Sequence, residues 1–166
     1  MNEQFDDLYI EAPNHIPSGE TPNNTNFPSV FLAGGITGCP DWQSEIRYLL
    51  KDIIMFNPRR ADFPIGDPNA ALEQIKWEHD YLRVANSILF WFPCETLCPI
   101  VLYELGAWSI TNKQIFVGVH PNYQRKQDVE IQTKLARPSV SITYSIQGLT
   151  HAVNKWAKYG YGFQNQ

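Results

Sequence analysis

Cysteine is scarce in this chain. Its 166 residues include 3, Cys39, Cys94 and Cys98, with neither a CxxC pair nor a His/Cys cluster. That leaves no basis for a disulfide framework or a structural zinc, and an odd count without an export signal fits reduced thiols. Positive charge is scarce as well: net charge is -4 and no block of Lys and Arg occurs, so neither a nucleic-acid polymer nor an anionic membrane is expected as a partner. No apolar run approaches the length that crosses a bilayer. The acidic start Met1-Asn2-Glu3-Gln4-Phe5-Asp6-Asp7 lacks the basic and apolar regions of a signal peptide, and a cytoplasmic protein is expected. His15, His79, His120 and His151 are scattered without ligand spacing, so neither metal nor cofactor is expected.

What is present reads as one α/β domain. A hydrophobic content of 43% over this length suffices for a single buried core. Residues 1–29 are polar and rich in Pro and Asn from Glu11 onward, and are expected to form an extended N-terminal arm ahead of a domain spanning 30–166. From Val30 the pattern alternates. Apolar runs at 30–33, 53–56, 87–92, 114–119 and 140–144 read as strands; stretches at 41–51, 69–84, 124–136 and 146–158, and the one that carries Glu104, read as helices. On the first helix Trp42, Ile46, Leu49 and Leu50 share a face; on the second, Leu72, Ile75, Tyr81 and Leu82 are candidate core positions. Five βα units with short connections predict a flavodoxin-like, doubly wound five-stranded parallel sheet with helices on both faces. In that order the strands at 30–33 and 87–92 straddle the switch point.

Glu104 stands out in this frame. It is the only charged residue from Cys98 to Thr111, on a helix that follows the continuous apolar run Ser87-Ile88-Leu89-Phe90-Trp91-Phe92. A carboxylate among apolar neighbours is costly to bury unless it is paired or used. On the preceding helix, Glu78 and Asp80 are two residues apart and so point in nearly opposite directions. Glu78 shares its face with Gln74, Ile75, Tyr81 and Leu82 and is the more inward. Two carboxylates on adjacent elements can divide nucleophilic and acid/base or orienting roles.

The turn Ala33-Gly34-Gly35-Ile36-Thr37-Gly38 departs from the dinucleotide fingerprint, which needs Gly where Ala33 stands and an acidic residue where Asn57 stands. GxxxxGK[ST] is absent too. What the turn offers is backbone free of bulk, either for close approach to a ligand or simply for a tight strand-to-helix connection. Trp42, Phe63, Trp77, Trp91, Phe92 and Tyr103 lie near the expected sheet edge, where flat bases could stack on them; core packing is the plainer account of Trp91 and Phe92, and Trp42 is the better ligand candidate. Asn57, Arg59 and Arg60 follow the second strand and could bond a base or an anion, a solvated loop being the alternative.

Taken in order, Phe31-Leu32-Ala33-Gly34-Gly35-Ile36, Phe56-Asn57-Pro58-Arg59-Arg60, Ile75-Lys76-Trp77-Glu78, Ala85-Asn86-Ser87 through Pro93, and Tyr103-Glu104-Leu105-Gly106 resemble the nucleoside 2-deoxyribosyltransferase-like family. The resemblance implies cleavage of the N-glycosidic bond of a 2'-deoxynucleoside through a covalent deoxyribosyl-Glu intermediate, with transfer to another nucleobase. Glu104 matches the nucleophile and Glu78 the acidic residue that orients sugar and base. Hydrolysis of a deoxynucleoside or its 5'-monophosphate, or a binding module without turnover, are the alternatives. The family also implies a homodimer or higher homo-oligomer. Asn86 stands where the family commonly has Asp, and Ile100, Val101 and Leu102 replace the small hydroxyl residues that often precede Tyr-Glu-Leu-Gly, which weakens phosphate binding at that helix start. As an ordinary carboxyl near a helix N-terminus, Glu104 is expected to be ionised at neutral pH.

Overall fold

The computed structural model describes residues 9–16 and 26–161. Six parallel strands form one sheet in the order β1-β3-β2-β4-β5-β6, where β1 is Tyr9–Glu11, β2 Ser29–Gly34, β3 Ile54–Asn57, β4 Ser87–Phe92, β5 Gln114–Val119 and β6 Ile142–Thr143. Helices α1 (Trp42–Leu49), α2 (Pro68–Val84), α3 (Pro99–Ser109), α4 (Lys126–Ala136) and α5 (Ile146–Tyr159) connect or follow them. From β2 onward this is the flavodoxin-like order: the chain steps from β2 to β3 on one side through α1 and from β4 to β5 on the other through α3. The switch point therefore falls between β2 and β4. Among the described residues no helix is long and apolar enough to cross a membrane.

The sheet has six strands rather than five. Part of the arm supplies the sixth: β1 pairs with β3 in the register Ile10 to Phe56, and Ala12 donates its N–H to Asn57 O at 2.9 Å. Side chains of α2 hold the segment that follows, with Trp77 Nε1 donating to Asn14 O (2.7 Å) and Ile16 N donating to Tyr81 Oη (3.0 Å). Three residues without sustained alternation leave no strand signal in sequence, and these tertiary bonds fix the segment.

Strand alternation divides the core in two. Val30, Leu32, Leu89 and Trp91 face α1 and α5, whose Trp42, Ile46, Leu149 and Val153 are buried against them. Phe31, Ala33, Ile88 and Phe90 face α2, α3 and α4, meeting Trp77, Tyr81, Leu82, Val101, Leu105 and Val129. Leu72 and Ile75, expected in the core, are 52% and 63% exposed, whereas Trp77 is 2% exposed. The inward stripe of α2 runs through Ala70, Trp77, Tyr81 and Leu82, so the expected Tyr81 and Leu82 are buried while Ala70 and Trp77 stand in place of Leu72 and Ile75. At the edge far from the carboxyl ends of the strands, Asn86 Oδ1 accepts from Ser29 N and Ser29 Oγ, both at 2.9 Å, tying the starts of β2 and β4 together.

Candidate functional site

The β2 strand ends in Gly34-Gly35 because nothing larger fits there. A Cβ on Gly34 would stand 2.3 Å from Trp42 Cζ2 and 2.6 Å from Trp91 O, and one on Gly35 would stand 2.7 Å from Pro93 Cγ. Trp42 lies buried beneath this turn, its Nε1 donating to Gly35 O at 2.8 Å. On the opposite side α3 begins at Pro99, whose missing N–H is no loss in the first turn. Its N-cap, Cys98, is left-handed at φ 49° and makes no side-chain cap bond. Helix α2 begins at Pro68 behind Asp67, which accepts from Asn69 N.

A cavity of about 270 Å³ lies between α2 and α3 over the end of β2. Its floor is Phe31, Ala33, Gly34 and Gly35; Ile36, Thr37 and Pro58 form one wall, and Thr96, Cys98, Ile100 and Val101 the other. Glu78 enters from α2 and Glu104 from α3. Both carboxylates also line a second, larger groove of about 740 Å³ along the outer face of α2 and α3, with Ile75, Leu82, Tyr103 and Trp108. They therefore stand where the two spaces meet.

Burial first, and then the charge of Glu78, push the Glu104 carboxyl up to about 8 from the usual 4.5. Glu104 is thus largely protonated at pH 7, contrary to the expectation from sequence. The side chain leaves α3 at its sixth residue, beyond the first turn where the helix dipole favours an anion, and no described side chain donates to it. Burial also raises Glu78, partly offset by Gln74 Nε2, which donates to Glu78 Oε1 at 2.8 Å. The same Nε2 donates to Pro58 O at 2.7 Å, so Gln74 fixes Glu78 against the loop after β3. The i,i+4 spacing of Gln74 and Glu78 was the available signal for this orienting role.

The structure places Glu78, Glu104, Gly34, Gly35 and Ile36 around one cavity. The other candidates stand elsewhere. Asp80 points away, 69% exposed, its Oδ1 3.1 Å from His79 Nδ1. Tyr103, 77% exposed, belongs to the outer groove. Phe92 is buried against Tyr123, their ring centroids 5.3 Å apart. Trp42 supports the glycine turn from below and does not line the cavity. Asn57 is buried, donating to Tyr9 Oη at 2.6 Å and accepting from Arg59 N at 3.0 Å. Arg59 faces the turn after β2: Nη2 donates to Pro40 O at 2.9 Å and, at 3.3 Å, to Ile36 O and Cys39 O, while Nε donates to Gln43 Oε1 at 2.9 Å. Its role is to clamp that wall from behind. Gln43, wholly buried, and the cavity-lining Thr37, Thr96, Cys98 and Val101 were not singled out by the sequence.

No Lys or Arg is among the described residues lining the cavity. Nor do the described residues include a group of three or more His, Cys, Asp or Glu arranged to hold a metal ion. The chemistry on offer is that of two half-buried carboxyls at the neck of a largely apolar cleft. Residues 27–123 match the family model described as nucleoside 2-deoxyribosyltransferase like. No curated protein matches the chain.

Proposed function

Since the chain belongs to the nucleoside 2-deoxyribosyltransferase-like family, we propose that it transfers 2-deoxyribose from one nucleobase to another through an ester on Glu104. The observation that carries this is the meeting of Glu78 and Glu104 at one cavity. Two half-buried carboxyls that share a cavity and feel each other's charge resist ionising together, so the pair retains a proton at neutral pH. That proton has a use. The departing base takes the electrons of the N-glycosidic bond and leaves more readily when protonated by way of Glu78, while the Glu104 carboxylate stabilises the oxocarbenium-like C1' and then bonds to it. In the second half the ring nitrogen of an acceptor base attacks C1', its proton returns to the carboxyl pair, and the ester C–O bond breaks to restore Glu104. Two displacements on one carbon retain configuration.

The lining favours an uncharged donor. A 5'-phosphate would enter a cleft with two carboxyls and no cationic side chain among the described residues, and Arg59 is already committed to backbone carbonyls. A 2'-deoxynucleoside meets no such penalty. The outer groove bears on transfer against hydrolysis: left uncovered it admits water to Glu104, and a second copy seated on Ile75, Ile100 and Tyr103 would exclude it. We therefore assign the active form as a homodimer or higher homo-oligomer.

The deciding experiment incubates the protein with a 2'-deoxynucleoside, with and without a second nucleobase, and follows bases and nucleosides by chromatography. Exchange that depends on the acceptor is the expected result, abolished in Glu104→Ala. Release of base at equal rates with and without acceptor establishes hydrolysis instead. Neither release nor exchange with purine and pyrimidine donors, alongside ligand-raised thermal stability, establishes a binding module. Full activity in Glu104→Ala refutes the ester.

A further inference from the structure

The carboxyl pair leaves unexplained why two of the three cysteines converge on the cavity wall. Cys39 lies in the turn after β2 and is partly exposed; Cys98 is the buried N-cap of α3 and lines the cavity. Both sulfurs press on Gly35. A Cβ placed there would stand 2.8 Å from Cys39 Sγ and 3.0 Å from Cys98 Sγ, so the two sulfurs are no farther apart than about 6 Å, within reach of a disulfide after side-chain rotation. Neither thiol is held tightly. Each makes only a weak 3.6 Å contact with a carbonyl two residues back, Cys39 with Thr37 O and Cys98 with Thr96 O.

We propose that Cys39 and Cys98 form a reversible disulfide across Gly35, made by exchange with a low-molecular-weight disulfide. Cys39, the more accessible, attacks one sulfur of the oxidant RSSR as thiolate, and RS⁻ leaves and takes up a proton. Cys98 then loses its proton and attacks the Cys39 sulfur, expelling the second RS⁻, which is likewise protonated. The two cysteines lose two electrons and two protons, and RSSR becomes two RSH. Burial and the charge of Glu95 push both thiols above their usual range, Cys94 adding to the effect at Cys39 and Arg59 opposing it there, so the exchange is slow at neutral pH. The new bond shortens the gap between the sulfurs to about 2 Å. It draws the turn after β2 toward the start of α3, and both are walls of the cavity. Oxidation narrows the entrance to Glu104, and reduction restores it.

The test needs no turnover. The reduced full chain is equilibrated at pH 8 without oxygen in glutathione buffers of rising oxidised fraction, then acid-quenched, alkylated, digested and examined by mass spectrometry. The expected product is a Cys39–Cys98 cross-linked peptide pair, about 2 Da lighter than the two thiol peptides together, that disappears with dithiothreitol. It should form undiminished in Cys94→Ser and be absent from Cys39→Ser. A urea-unfolded control should instead favour the short-range link between Cys94 and Cys98, so the Cys39–Cys98 link reports native geometry. Native protein in which both cysteines stay alkylatable, carry only glutathione adducts, or link chiefly through Cys94 overturns the proposal. Deoxyribosyl transfer can fail with the cross-link still forming, and the converse also holds, so the two conclusions are tested separately.

Discussion

Replacing Glu104 by Gln should stabilise the protein while disabling it, and the gain should depend on pH in a definite way. Burial and Glu78 place the Glu104 carboxyl at about 8 in the folded chain, against 4.5 for a free side chain. Between those values the native state binds a proton that the unfolded state has lost, so stability falls as pH rises. Each unit of that interval is worth about 1.4 kcal/mol. Gln has the shape of the neutral acid and nothing to ionise. The variant should therefore match the wild type near pH 4.5, exceed it by about 3 kcal/mol at pH 7, and level off at a gain on the order of 4 kcal/mol or more above pH 8. Urea unfolding at pH 5, 7 and 9, with both proteins at one concentration, measures this as a widening difference in midpoint at constant slope. A difference that is flat across pH, or a variant less stable at pH 9, refutes the account of Glu104 as a carboxyl strained by burial. The confirmed result would make this site a place where stability has been given up for chemistry.

If the proton that the pair retains is the one the departing base takes up, kcat/KM for base release should fall about tenfold per pH unit above about 8, and a rate that holds or rises from pH 8 to 10 would contradict it. Glu78→Gln should abolish that alkaline limb, because the proton donor is gone, and slow the reaction by about 10² to 10⁴. Gly34→Ala should cost about 3 kcal/mol in thermal or urea unfolding, since the new Cβ meets both the Trp42 ring and the rigid carbonyl of Trp91; a loss under about 0.5 kcal/mol would show that the turn can yield.

The strand order from β2 to β6 and the convergence of Glu78 and Glu104 were legible because both rest on periodicity: apolar runs of strand length, and carboxyls whose helical phase is fixed by their neighbours. Side-chain direction at element ends was not. Trp42 follows the glycine turn in sequence, yet its ring goes down toward α5, because the first turn of α1 lies on the face of β2 opposite the cavity. Arg59 reads as a free cation until the carbonyls of the neighbouring turn are seen around it. Leu72 and Ile75 misled because the apolar surface of α2 is wider than its buried stripe, the surplus lining the outer groove at Ile75. The protonation of Glu104 depends on how deeply two helices enclose it, which one helix's sequence does not encode.

The two edges of the sheet restrict how copies of this chain can assemble. Among the described residues β1 is three residues long and β6 two, so neither described edge offers a long run of unpaired N–H and C=O groups on which another strand could grow. Continuation of the sheet from one molecule into the next is disfavoured at both ends, including under partial unfolding that spares these strands. Contact between copies is left to the helical faces, where side chains rather than backbone set the fit, so partner choice can change by single substitutions without touching the sheet.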